Sequence, residues 1–359
     1  MHQTQIFENL KEEVDLILIY NGSCEDLNFF YVTGLIEGGI FEGSYAVVRP
    51  DGVSVITSIL EEISARKGSN EVYVFSTSDE RKEILRKIVG EVKKIGLNFS
   101  SISLKDLDTI KEILGDRDYL DVSDAIMESR KIKSEDELKI MREAAKIASE
   151  VADDIPEYLY EGMREYELAA KIVYEMMRRG AEGAAFTTIA AFGENSAEPH
   201  YTAGARKLKK GDFVLTDFGA RYHRYNSDIT RTFVFGRASD MQKDIYYTVL
   251  EAQRIGIESI KDGVHGKDVD ARVKDYINST KFKGRMTHST GHGLGLAVHD
   301  HVGLSILRDQ VLNEGMVVTV EPGIYIPGFG GVRIEDDVLV LKDGYEVLTS
   351  AQKKELIEV

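Results

Sequence analysis

The spacing of hydrophobic and polar residues divides the chain into two parts that differ in the order of their elements. In residues 1–124, short apolar or β-branched runs alternate with stretches of helical spacing. The runs cover Val14–Tyr20, Tyr45–Val48, Val53–Thr57 and Glu71–Phe75, and the helical stretches cover Leu60–Arg66, Glu80–Ile95 and Leu104–Leu114. This alternation predicts a small α/β domain over residues 1–124.

Residues 125–359 predict a second domain in which one order of elements occurs twice. Ser134 and Glu137 match a capping box, and the apolar residues after them keep helical spacing, so a long helix opens the domain. Helices at 134–153 and 164–179 precede strands at Phe213–Phe218 and Asp228–Phe235, and helices at Ala238–Ile260 and Lys267–Asn278 precede strands at Met316–Glu321 and Gly331–Leu341. The helix-helix-strand-strand repeat predicts an α+β fold with pseudo-two-fold symmetry.

Each predicted strand pair carries two acids. Asp217 and Asp228 belong to the first pair, and Glu321 and Glu335 belong to the second. A pseudo-symmetric sheet would bring both acid pairs to its centre, where isolated charges are costly to bury. Two divalent cations would balance the four carboxylates, and a neutral imidazole from His292, in a glycine-rich stretch, would complete the ligand shell. We therefore predict a hydrolytic site with two metal ions held by these five residues.

The chemistry of this ligand set predicts the ions and the nucleophile. Carboxylate-rich sites select hard or borderline ions, so Mn²⁺ or Co²⁺ is expected, with Zn²⁺ or Fe²⁺ as alternatives. A water that bridges the two ions would lose a proton near neutral pH and attack as hydroxide. Period-two alternation places Arg333 on the same strand face as Glu335, where it would either hold a ligand carboxylate or form a surface salt bridge.

Five of the eight histidines fall in two short segments, a clustering that favours an active site: His200, His288, His292, His299 and His301. An alternative metal site follows from His299-Asp-His301, because two imidazoles on one strand face could hold a single zinc ion together with one acid. That alternative leaves the four embedded acids unexplained. The glycines around His292 do not form a phosphate loop, since no Gly-Lys-Ser/Thr follows them.

Composition and charge exclude several classes of function. The formal charge of −16 argues against a nucleic-acid partner, because a phosphate backbone requires a basic surface. No apolar run approaches the ~20 residues that a membrane span needs, so no membrane association is expected. The N-terminus lacks the profile of a signal peptide, and the single cysteine, Cys24, fits a reducing cytosol. We therefore expect a cytoplasmic protein in which Cys24 is either a nucleophile or a small core or surface residue.

Five motifs, in this order, resemble those of the pita-bread metallopeptidases, the family of methionine aminopeptidase, aminopeptidase P and Xaa-Pro dipeptidase (prolidase). The motifs are Thr-Asp-Phe-Gly at 216–219, Ser-Asp-Ile-Thr-Arg-Thr at 227–232, Ser-Thr-Gly-His-Gly-Leu-Gly at 289–295, Glu-Pro-Gly-Ile-Tyr at 321–325 and Val-Arg-Ile-Glu-Asp-Asp at 332–337. Residues 1–124 resemble the creatinase-type N-terminal domain of the proline-directed members, of which the segment 186–200 is also typical. The resemblance implies a pita-bread fold after a smaller N-terminal domain, and a homodimer.

The resemblance also implies a reaction and a role for individual residues. The reaction is hydrolysis of the bond before a proline at the second position of a peptide. The implied metal ligands are Asp228 and Glu335 on both ions, Asp217 on one ion, and His292 with Glu321 on the other. Glu321 would also shuttle the proton to the leaving amine, His200 and His299 would contact the substrate at the scissile bond, and His288 would line the side that receives the proline.

Three alternatives remain open at this stage. Dipeptide-specific members often follow the histidine at the position of His299 with Glu-x-Pro-Arg, whereas this chain continues Asp-His-Val-Gly, which leaves longer Xaa-Pro peptides as substrates. A metal-free binding protein could retain the fold, as could a creatinase-like enzyme that hydrolyses a small amidine without metal. Because all five implied ligands are present, the sequence favours an Xaa-Pro metallopeptidase, either a dipeptidase or an aminopeptidase.

Overall fold

The computed structural model describes residues 2–23 and 25–359, which divide into two units. The first unit ends at Arg130, and the second covers Lys131–Val359. The division after residue 124 stays a prediction, and Cys24 lies outside the described residues. Among the described helices, none combines the length and the apolar character that crossing a bilayer requires.

The first unit is built on a six-stranded mixed sheet. Its elements are α1 His2–Glu8, β1 Leu16–Asn21, α2 Leu27–Thr33, β2 Ser44–Arg49, β3 Gly52–Ser58, α3 Glu62–Ala65, β4 Glu71–Phe75, α4 Ser78–Val89, β5 Lys94–Leu97, α5 Leu104–Leu114, β6 Asp118–Asp121 and α6 Ser123–Lys131. The strand order is β4-β3-β2-β1-β5-β6, in which β1, β2 and β3 pair antiparallel and the other neighbours are parallel. Alternating apolar residues of β1 and β2 pack against α4 and α5, which forms the core of this unit.

One predicted element of the first unit is wrong. The helix predicted over Glu80–Ile95 ends at Val89, and the chain enters β5 at Lys94. Gly90 causes the stop, because its φ of 69° leaves the helical region and its N–H donates back to the carbonyl of Arg86. A prediction based on helical periodicity alone therefore runs past the glycine that ends the helix.

The second unit contains the repeated order of elements. Its elements are α7 Glu135–Tyr158, α8 Glu165–Arg178, β7 Gly183–Ala184, β8 Ile189–Phe192, a 3₁₀ helix Gly193–Ala197, β9 Phe213–Phe218, β10 Ala220–Tyr222, β11 Tyr225–Asn226, β12 Ile229–Val234, α9 Asp240–Glu258, α10 Gly266–Ser279, β13 Gly291–His292, β14 Gly303–Leu304, β15 Val317–Val320, β16 Gly323–Ile326, β17 Gly330–Arg333, β18 Asp336–Leu341 and β19 Gly344–Val347. The predicted capping box opens α7, since Ser134 and Glu137 bond reciprocally. Two helices and then strands occur in each half, as the sequence predicts.

The strand predicted over Gly331–Leu341 is wrong in one respect that matters for the site. The chain leaves regular pairing after Arg333 and resumes it at Asp336. The reason is a change of partner, because β17 pairs with β16 whereas β18 pairs with β15. At the break, the N–H of Glu335 donates to the carbonyl of Thr230 at 3.1 Å. This bond places Glu335 beside the strands of the other half of the unit.

Candidate active site

The first acid pair lies on neighbouring antiparallel strands. Asp217 of β9 pairs with Thr230 of β12, and Asp228 directly precedes β12. Gly219 permits the close return of the chain, because a Cβ at this position would lie 1.7 Å from the carbonyl oxygen of Ser227. Both Asp217 and Asp228 are buried. The hairpin therefore directs two carboxylates to one place, as the sequence predicts.

The second acid pair arrives from the other half of the unit. Glu321 follows β15, and the next residue, Pro322, has no N–H with which to continue a ladder. Glu335 occupies the break between β17 and β18, and its Oε2 accepts a hydrogen bond from the hydroxyl of Thr230 at 2.6 Å. The hydroxyl of Thr319 donates to Oε1 of Glu321 at 3.3 Å. Each carboxylate is thus oriented by a threonine.

His292 lies between the two acid pairs. Its Nε2 is 3.7 Å from Oδ2 of Asp228 and 3.4 Å from Oε1 of Glu321. One ligand atom each from Asp228, His292 and Glu335 fall within 4.8 Å of one another. The Nδ1 atom lies 3.1 Å from the carbonyl oxygen of Gly293, so a proton on Nδ1 would leave Nε2 free to coordinate. A metal ion fits between these three groups.

All eight site residues predicted from the sequence line one cavity of about 470 Å³: His200, Asp217, Asp228, His288, His292, His299, Glu321 and Glu335. Phe186, Ile189, Pro199 and Val298 supply an apolar part of the wall. The rings of His292 and His299 lie 4.2 Å apart between centroids. Residues 299–301 do not form a strand, and His301 has a φ of 60°. The alternative zinc site on that strand therefore loses its geometric basis.

Arg333 connects the carboxylates to Thr230 and Tyr325, two site residues that were not predicted from the sequence. Its guanidinium forms an ion pair with Asp217, donates from Nε to the Thr230 hydroxyl at 3.1 Å, and donates from Nη1 to the Tyr325 hydroxyl at 2.8 Å. Arg333 is only 3 % exposed, so the predicted alternative of a surface salt bridge is wrong. Arg333 instead contacts a buried carboxylate, as the other alternative predicts. Tyr325 lies in turn 2.8 Å from Nε2 of His288. Tyr325 could have been found from its position in the sequence, because it lies four residues after Glu321 on the next strand.

Burial sets the electrostatics of the cavity. It raises the pKa of Asp228 and of Glu335 well above the usual carboxyl range, with the neighbouring acids adding to the effect. The pKa of Glu321 is also raised by burial. The pKa values of His288, His292 and His299 are lowered because burial disfavours the imidazolium form, and their imidazoles are therefore neutral near pH 7.

The donor set satisfies the requirements of a divalent metal centre. Oδ1 of Asp217 and Oδ1 of Asp228 are both buried without a hydrogen-bond partner. Such orphaned carboxylate oxygens are costly in a protein interior, and a cation would satisfy both. Carboxylate oxygens and a neutral imidazole nitrogen are ligands of Mn²⁺, Co²⁺, Zn²⁺ and Fe²⁺ alike. The residues present therefore fit divalent metal ions.

Metal binding should stabilise the fold measurably. Protein stripped with EDTA should gain on the order of 3 kcal/mol when free Mn²⁺ reaches a hundred times its dissociation constant, because the ion binds the folded state. Differential scanning calorimetry with Mn²⁺ and with EDTA measures the shift. It should shrink in Asp228→Asn, and equal unfolding temperatures for the wild type in both buffers would contradict the site.

The fold and this site define a metallopeptidase of the pita-bread class. Residues 139–342 match Metallopeptidase family M24, and residues 8–132 match the Creatinase/Prolidase N-terminal domain. The chain belongs to metallopeptidase family M24. The predicted family and fold class, including the creatinase-type first domain, are confirmed.

One similar sequence and two similar solved structures each cover almost the whole chain. The Xaa-Pro dipeptidase of Pyrococcus horikoshii is 38% identical over 345 residues, which is 96% of this chain and 95% of that protein. The crystal structure of the prolidase from Pyrococcus horikoshii OT3 superimposes with a TM-score of 0.89 at 37% identity, covering 98% of this chain and 99% of the other. The X-Pro aminopeptidase from Thermotoga maritima MSB8 gives a TM-score of 0.91 at 33% identity, covering 96% and 98%. The similar structures thus include both a prolidase and an aminopeptidase.

Proposed function

We propose that this chain hydrolyses the bond that precedes proline at the second position of a peptide, and that it does so with two divalent metal ions. The convergence of four carboxylates and His292 on one cavity carries the proposal. A relative of nearly equal length that is named Xaa-Pro dipeptidase supports the substrate class. A homodimer and a cytoplasmic location remain predictions from the sequence.

Five residues would hold the two ions: Asp217, Asp228, His292, Glu321 and Glu335. When bound, the two ions, Mn²⁺ or Co²⁺ by preference, would supply Lewis-acid activation of a water molecule and of the scissile carbonyl. The protein contributes fixed orientation, because Arg333 holds Asp217 and the threonine hydroxyls hold the two glutamates. Glu321 would take the proton of the attacking water and deliver it to the leaving proline nitrogen.

The three substrate-facing histidines have separate proposed roles. His200 and His299 would contact the peptide at the scissile bond and stabilise the charge that develops on its oxygen. His288 is held from both sides of its ring. Its Nδ1 lies 2.8 Å from the Ser289 carbonyl oxygen, so a proton there makes Nε2 the acceptor of the Tyr325 hydroxyl. This arrangement would fix the His288 ring against the proline.

The proposal is tested by an assay with metal-loaded protein. Xaa-Pro dipeptides and Xaa-Pro-Xaa tripeptides should be cleaved before proline in the presence of Mn²⁺ or Co²⁺, and matched Xaa-Ala peptides should be poor substrates. Comparing the two lengths decides between dipeptidase and aminopeptidase specificity, since the sequence after His299 leaves longer peptides open as substrates. Failure to cleave either length after metal loading would refute the proposed function.

His288→Ala should impair turnover and leave metal binding intact. The ring contacts Tyr325 and the cavity, and it is not one of the proposed ligands. We expect kcat/KM to fall by about 10²-fold, the loss that a misplaced contact at a reacting centre produces. Steady-state kinetics and metal analysis of the purified variant measure the two effects. His265→Ala is the matched control, because His265 is a partly exposed histidine that pairs with Asp309. Loss of metal from His288→Ala would show that the residue is a ligand.

A further inference from the structure

A fully buried carboxylate, Glu165, lies outside the proposed ligand set. It is the first residue of α8, and it is 0 % exposed. Burial of a carboxylate is costly unless hydrogen-bond donors surround it, so its partners indicate what the group does. They all belong to residues 192–204, here called the His200 segment.

Four donors satisfy the two oxygens of Glu165. Oε1 accepts from the N–H of Phe192 at 2.8 Å and from the side-chain amide of Asn195 at 2.9 Å. Oε2 accepts from the hydroxyl of Tyr201 at 2.8 Å and from the N–H of Gly204 at 3.1 Å. One oxygen therefore holds the start of the segment, and the other holds its end.

The hydrogen bond between Tyr201 and Glu165 lies one residue away from His200 in the chain. Tyr201 follows His200 directly, and its hydroxyl also accepts from the Asn195 amide at 2.7 Å. Burial and the bond to Glu165 raise the pKa of Tyr201 to about 12, so the phenol remains protonated and continues to donate. His200 itself lines the cavity with Pro199. Glu165 thus holds the chain on both sides of His200, at Asn195 and at Tyr201.

The opposite side of the segment is anchored to the strand that carries Arg333. The N–H of Gly331 in β17 donates to the Ser196 hydroxyl at 2.8 Å. A Cβ at Gly331 would lie 2.5 Å from the carbonyl oxygen of Ser196, so the backbones are in close contact. With one side fixed on β17, the contacts of Glu165 determine where the rest of the segment lies.

We propose that Glu165 is a positioning residue for His200, which it holds at the cavity without touching substrate or metal. The inference rests on the proposed role of His200 at the scissile bond. Glutamine cannot replace the carboxylate here, even though it has the same shape. In either orientation, its NH₂ group would face the N–H of Phe192 or that of Gly204, and neither can accept a hydrogen bond.

Glu165→Gln tests the proposal, with Glu161→Gln, an exposed acid just before α8, as the matched control. We expect kcat/KM on an Xaa-Pro peptide to fall by about 10²-fold, because a displacement of about 1 Å at a substrate contact has that effect. The affinity for Mn²⁺, measured by titration calorimetry, should equal that of the wild type. The amides of Phe192 and Gly204 should exchange hydrogen at least about tenfold faster, since local opening becomes easier. The control should match the wild type in all three.

A double-mutant cycle distinguishes positioning from a general loss of stability. If Glu165 acts through His200, adding Glu165→Gln to His200→Ala should lower kcat/KM no further. Additive losses, or weakened Mn²⁺ binding in the single variant, would overturn the inference. Should Glu165→Gln fail to fold, Tyr201→Phe removes one of the four bonds and should reduce kcat/KM about tenfold without affecting Mn²⁺ affinity; wild-type kcat/KM in that variant would also overturn it.

Hydrogen exchange separates this inference from the proposed function. Unchanged exchange at Phe192 and Gly204 would overturn the positioning role whatever the substrate is. If exchange rises while the metal-loaded wild type cleaves no Xaa-Pro peptide, the proposed function fails and the control of the His200 segment by Glu165 stands.

Discussion

Glu335→Gln should abolish peptidase activity and, at the same time, make the metal-free protein more stable. Activity should fall by well over ~10²-fold, because loss of a partner that only orients a ligand already costs up to about that factor. Stability should rise because burial, reinforced by Glu321 and Asp217, raises the pKa of Glu335 well above its usual value. A carboxyl group with a raised pKa makes folding less favourable near pH 7 than at low pH. Glutamine does not ionise, and it can still accept from Thr230.

The pH dependence of stability follows from the same shift. A carboxyl group with a raised pKa binds more protons in the folded state than in the unfolded state. Metal-free wild type should therefore lose stability as pH rises from the ordinary glutamate value towards the raised one. The slope should be smaller in Glu335→Gln, because one of the contributing acids is gone.

Calorimetry of EDTA-treated protein between pH 5 and pH 8 measures both stability effects, and kinetics with Mn²⁺ measures the loss of activity. Glu346→Gln is a control on the same unit, because its carboxylate pairs with Arg142 away from the cavity. Full activity in Glu335→Gln would dismiss the residue as a ligand. A lower unfolding temperature in the metal-free variant would mean that the acids do not repel one another.

Much of the fold follows from local patterns in the sequence. The capping box at Ser134 and the helical spacing after it predict α7, because both signals depend on residues within one helix. The ends of two secondary-structure elements could not be predicted. The end of α4 depends on the positive φ of Gly90, and the break at Glu335 depends on which strands pair with β17 and β18. Pairing partners are a property of the tertiary fold, and one strand does not contain that information.

The candidate site divides in the same way. The acids could be selected from the sequence because each lies beside an apolar run, and the repeat indicated that they would meet. Their roles as metal ligands stay predictions. The groups that orient them could not be selected, since Thr230 and Glu335 are 105 residues apart in the chain. Glu165 could not be selected either, because a glutamate in the first turn of a helix is ordinarily explained by its interaction with the helix dipole.

Gly291→Ala should disrupt both the fold and the site, because Gly291 lies where two backbones almost touch. A Cβ at this position would lie 1.9 Å from the carbonyl oxygen of Thr319 in β15. The hydroxyl of Thr319 accepts from the N–H of His292 at 3.1 Å and donates to Glu321. Separating β13 from β15 would therefore move His292 on β13 and Glu321, which directly follows β15, since the chain cannot relieve the overlap by a side-chain rotation.

We expect Gly291→Ala to lose about 1–3 kcal/mol of stability, as overpacked sites do, and to lose about 10²-fold or more in kcat/KM. Thermal unfolding and kinetics with Mn²⁺ measure these effects. Gly303→Ala is the matched control, because Gly303 pairs with His292 across β13 and β14, yet its added Cβ would have Arg308 Cδ as its nearest neighbour, at 3.8 Å. The control should retain wild-type activity and stability. Equal behaviour of the two variants would show that the approach of β13 to β15 does not determine the geometry of His292 and Glu321.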